Sequence, residues 1–319
     1  MSQPEVSVVV PVYNASAYVA GLIRALEDQT LPRERYEVIL VDDASTDDTV
    51  EIIMGTLKGT EARFALSRQD RNRGPAAARN AGRAIATAPV IAFTDSDCEP
   101  DPDWLERGLE RLMADDAPAG VEGRTLPKGE PGPLTHQMVN TTGGLYMTCN
   151  MFYRRDALGG GFDERFQLAF LEDSDVAFSV LERGDEIAWD PDVVVRHLVL
   201  PASRTKFMRE ARKRYYNALL YSKHPEMYRK HISGVVPGLP KLHLKYMASM
   251  TAIPVAAAAG YSGVALLMCA PTALYLRRVW HAYRAKDPLT RLQAALHPWA
   301  QTWFVIRGGM RFRALSPKL

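Results

Sequence analysis

At 319 residues, the chain is long enough for one large α/β domain with an appendage, or for two modest domains. With 47% hydrophobic residues, 24% charged residues and a formal net charge of +2, it is neither disordered nor globally basic, so its charge does not point to nucleic acid as a partner. Cys98, Cys149 and Cys269 are widely spaced and form no Cys-x-x-Cys pair, which argues against a disulfide framework or a thiolate zinc site and fits a reducing cytoplasmic setting.

The N-terminal MSQPEVSVVV has no basic region before its apolar run and is expected to be a first strand rather than a secretory signal. Val6 to Val10 is a continuous β-branched run of the kind buried in a parallel sheet, and Ala17 to Leu26 follows with helical spacing. Val38 to Val41 repeats the strand signal and ends in a polar turn that can cap a helix near Asp48. A third strand near Phe64 to Leu66, a helix from Pro75 to Ala86 and a fourth strand from Pro89 to Phe93 continue the alternation. Alternating elements predict a mostly parallel, Rossmann-like sheet flanked by helices, with ligands bound outside the carboxyl ends of its strands. The polar clusters after Val10, Val41 and Phe93 all fall at that edge.

A Pro- and Gly-rich stretch from Ala117 to Gly144 reads as loops around a short strand near Val121. Helical spacing returns from Glu172 to Glu182, then a strand near Val193 to Val195 and a basic amphipathic helix from about Ser203 to Tyr221. Residues 246–276 then carry no charge over 31 positions, longer than the roughly 20 residues of a spanning helix. Pro254, Gly260, Gly263 and Pro271 interrupt the run, and Lys241, Lys245, Arg277 and Arg278 flank it. The pattern predicts a membrane-associated helical hairpin with both ends cytoplasmic; a buried helical pair in a soluble oligomer has the same composition. Residues 1–230 are therefore expected to form the catalytic domain and residues 231–319 a membrane-associated region.

Asp95 and Asp97 lie two apart in Thr94-Asp95-Ser96-Asp97, directly after a strand, where an extended backbone points both carboxylates to one side as hard ligands for Mg²⁺ or Mn²⁺. Alone, Asp-x-Asp is also a common acidic turn. Asp42-Asp43 ends another strand and can bond a base or ribose, with Pro11, Tyr13 and Asn14 beside it after the first strand. Arg79, near the start of the helix after Gly74, can pair with a diphosphate.

The segments VSVVVPVYN, VDDASTDDT, NRGPAAARNAG, FTDSDCEPDPDWLE and GGGFDERF followed by LEDSD resemble, in order and spacing, the inverting family 2 glycosyltransferases over residues 5 to 200. The resemblance implies a GT-A nucleotide-diphospho-sugar fold, a UDP-sugar or related donor and a divalent metal, Mn²⁺ or Mg²⁺. By position, Asp43 would contact the base, Asp95 the ribose or metal, and Asp97 the metal. Asp173 would be the general base, Glu172 and Asn150 would line the acceptor side, and His197 would approach the metal. No Gln-x-x-Arg-Trp follows the base, as it does in processive members, so transfer of one or a few sugars is expected. With the predicted hairpin, these residues imply a lipid-linked or other glycan acceptor at the cytoplasmic membrane face. The rival reading is an inactive, membrane-tethered sugar-nucleotide-binding scaffold.

Overall fold

The computed structural model describes residues 3–115, 117–130, 132, 135–201, 206–232, 241–283 and 288–312. It divides into two compact units, one of residues 1–131 and 135–200, the other of residues 132–134 and 201–319.

In the first unit, β1 (Val6–Val12), β2 (Tyr36–Asp42), β3 (Arg63–Arg68) and β4 (Val90–Phe93) run parallel, with β1 between β2 and β4. Their apolar runs are explained by burial on both faces: every residue of β4 is buried, as is all of β1 except Pro11. The helices α1 (Val19–Glu27), α2 (Thr49–Leu57) and α3 (Pro75–Ile85) make the crossovers. Helix α3 lies close on the sheet because Gly82 faces β1; a Cβ there would stand 2.4 Å from Val9 and 3.1 Å from Val41.

The remaining strands break the parallel pattern that the alternation predicts. Among the described residues the sheet has eight strands in the order β3-β2-β1-β4-β7-β6-β8-β5, completed by β5 (Cys98–Pro100), β6 (Gly120–Lys128), β7 (Met151–Arg154) and β8 (Ile187–Leu198). β7 is antiparallel to both β4 and β6, and β5 to β8, whereas β6 and β8 are parallel. The reason is connection: among the described residues no crossover helix lies between β6 and β7, which leaves antiparallel pairing open. Helices α4 (Trp104–Leu112) and α5 (Glu172–Glu182) complete this unit.

The second unit is helical: α6 (Lys206–Lys213), α7 (Tyr215–Lys223), α8 (Pro225–His231), α9 (Lys241–Ala258), α10 (Ser262–Tyr283) and α11 (Pro288–Arg311). The basic helix expected over 203–221 is two helices joined at Arg214, and its Ser203 and Arg204 lie outside the described residues. The charge-free stretch does form a hairpin, reversing near Gly260 (φ 78°), with Tyr246 stacked on Tyr275 at 4.3 Å and Ser249 hydrogen-bonded to Thr272 at 2.6 Å. Both helices continue through the prolines expected to interrupt them.

The spanning expectation fails, however. Among the described residues no helix is long and apolar enough to cross a membrane. The hairpin divides the apolar run between α9 and α10, so neither holds the about 20 apolar residues that spanning takes.

Candidate active site

The parallel strands β1, β2 and β4 deliver their carboxyl ends to one edge. Asn14 links the first two: its Oδ1 accepts from Thr46 N at 2.9 Å and its own N donates to Ser45 Oγ at 2.9 Å, with the residue held at φ 49°. Pro11 pairs with Val41 within the sheet, and Tyr13 just beyond is 46% exposed, free to meet a ligand ring. Asp43 is buried, and its two oxygens accept from Arg73 N and Gly74 N, each at 2.8 Å. Burial pushes its carboxyl above the ordinary aspartate range, against the pull of those two donors. Asp43 thus anchors the turn that opens α3.

That turn matters because α3 carries Arg79. The guanidinium is 2% exposed, and its two terminal nitrogens are occupied: Nη2 donates to Asp95 Oδ1 at 2.6 Å and Nη1 to Glu172 Oε1 at 2.9 Å. The sequence points Arg79 at a diphosphate; the fold points it between two carboxylates, because it shares the inward face of α3 with Ala76 and Gly82, three residues to either side. On the same helix the Asn80 amide donates to Phe162 O at 2.8 Å and accepts from Phe162 N at 2.9 Å, which ties the GGGFDERF segment to α3.

Glu172 and Asp173 open α5 after Leu171, which is left-handed at φ 71°. Glu172 is buried, with Oε2 accepting from Phe170 N at 2.6 Å. Asp173 is partly buried, and Ser174 N donates to its Oδ1 at 2.7 Å. Burial, reinforced by the neighbouring charge of Glu172, pushes the Asp173 carboxyl up to about 7. Such a group changes charge near neutrality, as a general base should.

Asp97 meets His197 through strand register. β5 pairs antiparallel with β8 so that Cys98 faces His197 and Leu198 N donates to Asp97 O at 2.9 Å. This brings His197 Nε2 to 3.5 Å from Asp97 Oδ1, while Nδ1 lies 3.0 Å from Leu198 O. A proton on Nδ1 donated to that carbonyl leaves the Nε2 lone pair on the Asp97 side. Burial raises the Asp97 carboxyl to about 6 despite the imidazole.

Ligand atoms of Asp97, Cys98 and His197 lie within 4.8 Å of one another. Carboxylate and imidazole suit Mn²⁺ or Mg²⁺. Cys98 does not fit as a ligand, because burial and Cys149 push its thiol well above its ordinary value and keep it protonated. Asp95 keeps its second oxygen free of Arg79.

Asn150 does not line a pocket. It is 1% exposed, accepts from Trp104 Nε1 at 2.9 Å and donates to Arg124 O and Val193 O at 3.0 Å, so its amide is consumed in holding β7, β8 and α4 together. Sequence reasoning also passed over Glu122. From β6, this buried carboxylate accepts from Asn140 Nδ2 at 2.7 Å, Gly144 N at 2.6 Å, Leu145 N at 2.9 Å and Tyr146 N, and so fixes the loop before β7. An acidic residue amid the strand run GVEGR was the available signal. Tyr153 was missed for the opposite reason: it reads as an ordinary strand aromatic. Its phenol is fully buried and lies within the field of Asp173 and Glu122.

Comparison with known proteins finds a likeness over the chain that forms this edge: residues 7–162, just under half of the sequence, match the family described as glycosyl transferase family 2. The chain is 35% identical over 128 residues to the glycosyltransferase AglE of Haloferax volcanii, covering 40% of this chain and 42% of AglE. The chain thus spans less than half the length of that curated relative.

Among solved structures, the mannosyltransferase PcManGT of Pyrobaculum calidifontis, in complex with GDP-Man and Mn²⁺, superimposes with TM-score 0.63 at 20% identity, covering 96% of this chain and 88% of that one. S. aureus TarS 1-349 in complex with UDP-GlcNAc does so with TM-score 0.54 at 15% identity, over 97% and 91% of the two chains. At these identities the likeness is one of fold: a mixed α/β sheet of GT-A type. The chain is thus similar over part of its length to glycosyltransferases, and similar in fold to these solved ones.

Proposed function

We propose that the chain transfers one or a few sugars from a nucleoside-diphospho-sugar to a hydroxyl of a glycan or lipid-linked acceptor, with inversion at the anomeric carbon. The observation that carries this reading is the meeting, at one sheet edge, of the Asp95–Arg79–Glu172 chain with Asp173, whose carboxyl is raised to about 7. Asp173 takes the proton of the acceptor hydroxyl as that oxygen bonds to the anomeric carbon. The bond from that carbon to the diphosphate breaks on the opposite face, and the nucleoside diphosphate leaves with the electron pair. No covalent enzyme intermediate is needed.

Arg79 holds Glu172 and Asp95 in place and keeps their charges compensated, which orients the first turn of α5 and with it Asp173. Tyr13, Asn14 and Asp43 lie where a nucleoside would rest against the first two strand ends. Asp97, His197 and the second oxygen of Asp95 would hold Mn²⁺ or Mg²⁺, which supplies positive charge for the diphosphate leaving group when bound. Solved neighbours bound to GDP-Man and UDP-GlcNAc support a nucleoside-diphospho-sugar donor, and UDP-sugars are the first to try. We place the acceptor at the cytoplasmic membrane face, a location supported by the basic, acid-poor second unit.

The test is a nucleotide-release screen of purified protein against UDP-, GDP- and dTDP-sugars with Mn²⁺ or Mg²⁺, followed by NMR of the product anomer. Metal-dependent release and an inverted product are expected. Donor binding without release under any condition would favour the scaffold reading instead.

A further inference from the structure

Helix α11 is amphipathic in the wrong sense for a soluble protein. Its buried stripe, Ala294, Pro298, Gln301, Val305 and Gly308, is built of small or polar residues. That stripe packs within the second unit: Tyr275 donates to Ala294 O at 3.0 Å, the His297 ring meets Phe207 at 5.4 Å, and a Cβ on Gly308 would stand 2.2 Å from Tyr215 O. The outward stripe carries the large side chains: Leu292, Leu296, Trp299, Trp303, Ile306 and Met310, each between 36% and 61% exposed. Their alternating spacing of four and three keeps them on one face for about 27 Å of helix.

We infer that this ridge lies flat in the surface of an anionic lipid bilayer, with Trp299 and Trp303 at the level of the headgroups. Charge selects this occupant. Residues 227–319 contain 13 Lys and Arg and a single acidic residue, Asp287, and exposed Arg307 and Arg311 flank the ridge. A second copy of the chain would set arginines against arginines with no carboxylate to meet them, whereas anionic headgroups complement them. Tryptophan's apolar body and polar N–H suit the interfacial zone. Because no described helix is long and apolar enough to cross a membrane, the association is monotopic. The inference rests on the proposed membrane location of the acceptor, and it is read without sugar transfer, so the two can fail separately.

The full chain is tested by co-sedimentation with vesicles of phosphatidylglycerol and phosphatidylcholine, and with phosphatidylcholine alone. Quenching of tryptophan emission by brominated acyl chains reads the depth. Wild type is expected to bind the mixed vesicles and be quenched. Trp299→Ser and Trp303→Ser should each weaken binding on the order of tenfold, while Trp303→Phe stays close to wild type. Trp303→Ser should keep the wild-type circular dichroism, since its side chain is 58% exposed, whereas Trp299 also hydrogen-bonds Tyr246, so Trp303→Ser is the variant that reads the ridge alone.

Unaltered vesicle binding by the Trp299→Ser/Trp303→Ser double variant would overturn the inference. So would equal binding to phosphatidylcholine alone, or a light-scattering dimer abolished by the same variants in a protein that ignores vesicles.

Discussion

Replacing Arg79 by methionine keeps the unbranched stem of the side chain and removes the guanidinium with its charge. Glu172 is then left 3% exposed with its ion-pair partner gone, and Asp95, 29% exposed, is left facing water. Breaking a buried pair from one side costs about 3–5 kcal/mol, nearly all of it at Glu172 because Asp95 can be solvated. At about 2–4 °C per kcal/mol for a domain of this size, the melting temperature should fall on the order of 10 °C.

The loss should depend on pH. In the wild type, burial raises the Glu172 carboxyl while Arg79 pulls it down, so without Arg79 it rises further. Protonation then relieves the unpaired charge, and the destabilisation shrinks as pH falls. Differential scanning fluorimetry of Arg79→Met at pH 5 and pH 8, alone and with Glu172→Gln, measures this. The reasoning is refuted if Arg79→Met costs under about 1 kcal/mol, or if its cost is the same in the Glu172→Gln background.

Glu122→Ala removes the acceptor for four donors of residues 140–146 and should cost about 2–4 kcal/mol, with hydrogen exchange at Gly144 to Tyr146 rising well beyond that of the sheet. Asp173 must be ionised to accept a proton, so kcat should climb with pH through about 7 and then level, which a pH–rate profile reads. The same raised value means that Asp173 favours the fold at low pH and that this contribution is lost as pH rises through about 7. Gly82→Ala drives a methyl into Val9 and Val41 and should cost about 1–3 kcal/mol by denaturant melting.

The parts of this molecule legible in its sequence are those where local pattern and burial agree. β1, β2 and β4 are apolar runs closed by polar turns, and Asp95, Asp97, Asp43 and Asn14 stand at the strand ends where the alternation puts them. Helix α5 begins at Glu172 as its spacing predicts. What escaped were long-range pairings.

Nothing local says that Arg79 faces inward between residues 16 and 93 positions away, or that Asn150 spends its amide on Arg124 and Val193 rather than on a ligand. The antiparallel entry of β7 depends on the path of an irregular connection, not on the composition of the strand. The membrane hairpin failed because a turn at Gly260 divides one apolar run between two helices, neither of which is apolar along enough of its length. The ridge on α11 is legible only in the fold, which decides which stripe of the helix is turned inward.

The most direct measurement is single-turnover nucleotide release by Asp173→Asn beside wild type, with donor affinity measured by calorimetry in the presence of Mn²⁺. Retained donor affinity with release to acceptor slowed by at least about a hundredfold is the predicted result, since removing a general base costs on the order of 10²–10⁴ in rate. Release at the wild-type rate by a folded Asp173→Asn protein would contradict the assignment of Asp173 and, with it, the proposed inverting transfer.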